Sequence, residues 1–287
     1  MIDKSKITDC FNETGFPFQQ WCLETIRNFS KDHGGWGYKA ISEWPFTCPP
    51  SNGPLLGVHS TADIVAIRGV TGAADTLLFL VIECKRANAN IKNWVFMSDK
   101  YDNKPLFIFS KVDDDLKEAA YTTRRLTFPG LNYTTENFDY CNNVIEAKND
   151  FSSLNRNQEE RVYKAIRQAN QGIFALENKK PRYIENLTTG LPSDVFKYFV
   201  FLPVVVTTAN LYTTDFDYKN VTEGNILKEN INYTEKKWIT YEFPLPDFIN
   251  YGRQLDGIAL EKRTTFIVND KSFTDFLSGI GKICNLK

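Results

Sequence analysis

Asp63, Glu83 and Lys85 are the residues whose types and spacing could do chemistry. Glu83 and Lys85 close the run LLFLVIECK at 77–85, and Asp63 lies in the alternating run TADIVAIR at 61–68. In an extended strand, side chains two apart leave the same face. Glu83 and Lys85 therefore emerge together at the polar end of an apolar strand. Cys84 turns the other way and packs as a small apolar side chain. Residues 69–75 have turn composition, so the two runs form a hairpin that can bring Asp63 to the same place. Asp63, Glu83 and a backbone carbonyl, that of Cys84, make a hard oxygen site. Such a site suits Mg²⁺, with waters completing the octahedron and Mn²⁺ as a substitute. A lysine beside it can orient or deprotonate a water. The plainer account is a solvated charge pair worth about 0–1 kcal/mol. Against it, an apolar strand has no packing reason to end in Glu and Lys on its sheet face.

The elements that must position these residues follow from periodicity. Residues 17–31 predict a helix with Phe18, Trp21, Cys22, Ile26 and Phe29 on one face. Gly34, Gly35 and Gly37 stop it. A strand at 38–46 and a Pro-rich loop precede the hairpin. Residues 106–110 predict a short strand, and Asp113, Asp114 and Asp115 a cap for a helix running to about 126. A second strong helix covers 157–176, with Val162, Ile166, Ala169, Ile173 and Leu176 as its apolar stripe. Residues 196–207 (FKYFVFLPVVVT) predict a strand covered on both faces. Strands at 237–243 and 264–269 and a helix at 272–280 complete the chain. This is an α/β pattern without linkers: one domain over 1–287, with room for a subdomain inserted within about 88–150.

An Asp on one strand and Glu-x-Lys on the next, after a helix and before a helix–strand pair, resembles the PD-(D/E)XK, or restriction-endonuclease-like, superfamily. The matching residues are Asp63 in T-A-D-I-V and Glu83 and Lys85 in I-E-C-K-R. The likeness in element order runs from about 17 to 207, and Ala62 stands where a proline is often found. The resemblance implies a mixed central β-sheet flanked by helices, with Asp63 and Glu83 as metal ligands. It also implies a polar residue reaching the site from the second helix, for which Gln168 is the candidate, and an extra acidic ligand on the first helix, for which Glu24 is the candidate. Arg161, Lys164 and Gln171 share the polar face of the second helix and could meet a phosphate backbone. The implied function is a Mg²⁺-dependent DNA endonuclease hydrolysing phosphodiester bonds, in restriction or phage defence. The alternative from another class is a non-catalytic nucleic-acid-binding or assembly module that keeps the fold.

Composition narrows the field. The 287 residues carry 34 Lys and Arg against 35 Asp and Glu, so no global basic field attracts DNA. A local patch, a metal, a homodimer or a partner protein must supply that affinity. Two histidines exclude a three-histidine zinc site. Six cysteines without a CxxC pair show no zinc-finger spacing. The first ten residues, MIDKSKITDC, lack an apolar signal core, and the apolar run at 198–206 is too short to span a bilayer and contains Pro203. These features predict a cytoplasmic protein with reduced thiols and no membrane contact.

Overall fold

The apolar run at 77–82 must be covered on both faces, since none of its six side chains is more than 1% exposed. The computed structural model supplies that cover. It describes residues 4–32, 37–48, 58–69, 76–98, 107–112, 122–125, 140–152, 159–178, 198–216, 219, 221–226, 231–244 and 262–283. The helices are α1 (Lys4–Thr14), α2 (Phe16–Asp32), α3 (Glu159–Asn178) and α4 (Phe273–Ile283). The strands that concern the site are β1 (Lys39–Cys48), β2 (Val58–Gly69), β3 (Thr76–Lys85), β4 (Asn93–Ser98), β5 (Phe107–Val112), β6 (Thr122–Arg125), β7 (Tyr140–Ala147) and β8 (Tyr198–Thr207). Beyond them lie β9 (Asn210–Phe216), the short pair β10 (Val221–Thr222) and β11 (Asn225–Ile226), β12 (Ile231–Lys236), β13 (Trp238–Pro244) and β14 (Lys262–Asn269).

One mixed sheet carries the order β1-β2-β3-β8-β14-β13-β7-β4-β9-β12. The hairpin expected around 69–75 is present, with β2 antiparallel to β3 from Gly69↔Leu77 to Ile64↔Ile82. On its other side β3 runs parallel to β8, from Thr76↔Tyr198 to Lys85↔Thr207. Helices cover both faces. Cys22, Leu23, Ile26 and Phe29 of α2 and Phe273, Leu277 and Ile280 of α4 pack on the face holding Leu78, Leu80 and Ile82. Ile173 and Leu176 of α3 pack on the opposite face, against Leu77, Phe79 and Val81. The N-terminal half of α3 continues over Trp94, Val144 and Ile239, so one helix ties the two halves of the sheet together.

Pro203 explains a change of partner in β8. A proline has no N–H to give a ladder, so it is poorly suited to a strand interior. Antiparallel β5 pairs with Tyr198–Phe201, and parallel β14 pairs with Val204–Thr207. Pro203 falls between the two partnered halves, and its pairing with Val81 is on the β3 side.

Two expectations need correction. The helix expected to run to about 126 gives way to strand β6 at its end, where Thr122–Arg125 pair with β5. The acidic cap at 113–115 lies outside the described residues. Trp21 belongs to the helix but not to its buried stripe: it is 44% exposed and stacks on Phe18 at 5.8 Å. The 88–150 stretch contributes β4 and β7 to the main sheet. Among the described residues, no helix is long and apolar enough to cross a membrane. Cys22, Cys84 and Cys141 carry free thiols.

Gly172 sets how closely α3 approaches the sheet. A Cβ at this position would lie 2.7 Å from Val81 Cγ1 and 3.7 Å from the Ala62 Cβ. The branched, buried valine has no free end to move aside. Gly172→Ala should therefore lift the helix and cost about 1–3 kcal/mol of stability, as overpacking does. That loss should outweigh the alanine's helix propensity gain of about 1 kcal/mol. Denaturant unfolding of the variant checks this, and a stabilised Gly172→Ala would show that the contact does not fix the helix position.

Candidate active site

The site forms where β2 and β3 part. Their ladder ends at Ile64↔Ile82, one residue short of Asp63 and Glu83. The backbone N–H of Cys84 donates to Asp63 Oδ2 at 2.7 Å. The aspartate carboxylate thus stands at the point where the two strands separate.

Glu83 continues the buried run of β3, and the residue has no solvent exposure. Its Oε2 accepts from Lys85 Nζ at 3.1 Å, and its buried Oε1 has no hydrogen-bond partner among the described residues. Burial disfavours the charged carboxylate, and the nearby Asp63 charge adds to the effect. Together they push Glu83 up to about 7 against the pull of Lys85. Asp63 also lies above its ordinary value, first through burial, with Lys85 and the Cys84 N–H opposing and Glu43 adding to the rise. Two carboxylates thus share one ammonium, a local shortage of positive charge. Lys85 retains 27% side-chain exposure, enough to meet a ligand, whereas the Glu83 side chain retains 1%.

The close approach at Gly172 positions the next contact. One helical turn earlier on α3, Gln168 Oε1 accepts from Lys85 Nζ at 3.4 Å. Lys164 and Arg161 continue along the same face. With Lys85, Arg86 and Gln168 they line a cavity of about 250 Å³. Its remaining wall comes from Ala87, Asn88, Trp94 and Glu146. Four cations around one cavity form the local basic patch that the neutral composition requires of any anionic ligand. Gln171, half-buried further along α3, is not among the lining residues.

Glu24 is not brought to Asp63 and Glu83. Its carboxylate is engaged on its own helix, by Arg27 at 2.6 Å and Gln20 at 3.2 Å. The residue of α2 that does reach the site is Gln19, five positions earlier and about 140° around the helix. Buried Gln19 donates through Nε2 to the Asp63 carbonyl at 2.9 Å and to Glu43 Oε1 at 2.6 Å. Cys84 places its thiol next to Cys22 of α2, with burial as the main cause of a raised thiol pKa. Its side chain therefore leaves the sheet away from Glu83 and Lys85, as alternation requires.

Glu43 and Glu146 were not legible as site residues. Glu43 sits in β1 with a left-handed φ of 53°, a conformation uncommon for a non-glycine residue and often found at functional positions. Nothing in the sequence marks it. Glu146 is different, because it interrupts the apolar stretch of β7 as Glu83 ends that of β3. It is only 2% exposed, pairs in register with Trp94, and its Oε1 has no hydrogen-bond partner among the described residues. Burial pushes it up to about 7, with the charge of Arg161 opposing. Among the described residues, no group of three or more His, Cys, Asp or Glu side chains is arranged to hold a metal ion.

No protein-family model matches this chain, and neither does any curated protein or solved structure with which it was compared. Residue geometry therefore carries the functional reading.

The raised carboxylates fix the sign of a pH effect. Glu83 and Glu146 rise from an ordinary 4.5 to about 7 in the fold. Between those values the folded protein holds protons that the unfolded chain releases. Their contribution to stability is complete below about pH 4.5 and is lost as the pH rises through 7. In EDTA, unfolding free energy should fall between pH 5 and 8, by roughly 1–3 kcal/mol for each group. Glu83→Gln and Glu146→Gln should each flatten part of that slope. An unchanged slope in the double variant would refute the assignment.

Proposed function

We propose that this protein is a metal-dependent nuclease of the PD-(D/E)XK, or restriction-endonuclease-like, superfamily that hydrolyses phosphodiester bonds in DNA. The single observation that carries the reading is the fully buried Glu83. It has an unpartnered Oε1, Asp63 close by, and Lys85 bridging it to Gln168. A structural ion pair has no need of a second carboxylate that raises the pKa of the first. The element order α2-β1-β2-β3, then α3-β8 with β8 parallel to β3, supports the fold assignment. A part in restriction or phage defence belongs to the resemblance.

The donor set fits a divalent cation. Asp63 and Glu83 offer hard carboxylate oxygens, one of them unpartnered, and the Cys84 carbonyl would be the third protein ligand. Water would fill the remaining positions around Mg²⁺, with Mn²⁺ as a substitute. A cation held there supplies Lewis-acid stabilisation of the phosphoryl oxygens.

The chain's own residues have separate tasks. Lys85, held between Glu83 and Gln168, orients the attacking water and stabilises negative charge developing on the phosphate. Gln168 holds the ammonium in place through its side-chain carbonyl. Arg161 and Lys164 anchor the phosphate backbone without reading sequence. In the hydrolysis, water adds to phosphorus and one P–O ester bond breaks. A proton from the water ends on the departing sugar oxygen.

Lys85→Ala should abolish Mg²⁺-dependent cleavage of plasmid, linear and single-stranded DNA while the variant keeps a folded circular-dichroism spectrum. Cleavage at the parent rate in that folded variant would overturn the reading. Asp63→Asn should weaken Mg²⁺ binding by calorimetry, because it removes one charged ligand. Identical Mg²⁺ affinity in variant and parent would exclude Asp63 as a ligand.

A further inference from the structure

We propose that the cavity beside Lys85 is a nucleotide subsite, in which Glu146 accepts an N–H donor of one base while Arg161 and Lys164 hold that nucleotide's phosphate. The inference rests on the nuclease reading only for its place along the substrate. The pocket itself is built from independent groups.

The first observation is size. The cavity measures about 250 Å³. That is just below the roughly 300–1,000 Å³ of pockets that enclose small molecules, so it suits one base-sized group and not a duplex. The second is the mixture of charges. Arg161 and Lys164 are exposed on α3 and face an anion arriving from solvent. A phosphate alone would be served by cations alone. Yet the same cavity contains Glu146, buried to 2% exposure on β7, with an oxygen that no donor among the described residues reaches.

A buried acceptor without a donor is costly, and such groups in folded proteins call for an explanation. Arg161 is near enough for its charge to act on Glu146 but leaves Oε1 unpartnered. The ligand that answers both features presents an anion at the mouth and an N–H donor inside. A nucleotide does both, since every DNA base carries an N–H on its pairing edge. Buried Trp94, in register with Glu146, adds an apolar aromatic wall beside the donor position. Every base has a π-face that such a wall can meet. In the duplex these N–H groups are engaged in pairing, so the subsite takes a base that is unpaired or drawn out of the stack.

The experiment is calorimetric binding in EDTA, where no cleavage interferes. The ligands are the four deoxynucleoside 5′-monophosphates and deoxyribose 5-phosphate, which lacks the base. At least one mononucleotide should bind more tightly than the sugar phosphate. At pH 8, where Glu146 is ionised, Glu146→Leu should weaken that nucleotide by about tenfold or more, as expected for loss of a charged acceptor. The same change should leave deoxyribose 5-phosphate unaffected. Arg161→Ala should weaken both ligands. Glu146→Gln, which keeps a carbonyl acceptor of the same shape, should retain part of the preference and controls for folding.

Equal binding of sugar phosphate and all four nucleotides would overturn the subsite. So would the absence of nucleotide binding, or a preference that survives Glu146→Leu. Failure of the nuclease reading is distinguishable. Nucleotide binding that depends on Glu146, without metal-dependent DNA cleavage, would leave the subsite standing alone. Cleavage lost in Lys85→Ala, with no nucleotide preference, would leave the nuclease without it.

Discussion

Burying the carboxylate of Glu83 at the end of an apolar strand costs free energy that nothing in the packing of the sheet repays. The surrounding structure manages that cost without removing it. Lys85 meets one oxygen, the other stays unpartnered, and the Asp63 charge makes the position worse. At the polar end of β3 a single ammonium, that of Lys85, is consequently shared by two carboxylates, and positive charge falls short of both. That deficit, more than any single contact, connects the fold to its proposed chemistry.

The rest of the molecule holds this arrangement rigidly. Sheet pairing fixes β3 on both sides up to Ile82, and on the β8 side through Lys85. Helices pack on both faces, so the strand cannot rotate to release Glu83 to solvent. Gly172 lets α3 come down on Val81, and this same approach puts Gln168 within reach of Lys85. On the opposite face Gln19 ties α2 to the backbone of Asp63 and to Glu43. Each functional side chain is thus placed by a packed element rather than by a loop, which favours the sub-ångström precision that catalytic sites need.

Charge distribution follows the same logic. A chain with formal net charge -1 has no long-range attraction for a polyanion. Its folded surface nevertheless collects Lys85, Arg86, Arg161 and Lys164 around one cavity. Lys85 ends β3, Arg86 directly follows it, and the other two come from α3, more than seventy residues on in sequence. Their convergence is a consequence of the parallel β3–β8 pairing, which requires α3 to cross the sheet between them.

Strict alternation in β3 made Glu83 and Lys85 legible from the sequence, because a strand's two-residue period leaves little freedom about which side chains share a face. The apolar stripe of α3 was legible for the equivalent helical reason, and Val162, Ile166, Ala169 and Ile173 are fully buried while Leu176 is 1% exposed. Local periodicity cannot say which turn of a helix faces which strand, and there the reading of α2 failed. Glu24 lies off the apolar stripe, whereas Gln19 sits within it, three, four and seven residues from Cys22, Leu23 and Ile26, and packing against β1 and β2 sets its amide on Asp63 and Glu43. Glu43 became part of the site through an unusual backbone angle and its position opposite Asp63, neither of which has a local signature. The chain's own periodicities therefore determined the strand that carries the carboxylate and amine, and the helix that faces it. The tertiary structure alone decided which distant residues, Gln19, Glu43 and Glu146, complete the surroundings, because burial and cross-sheet distance are properties of packing between elements.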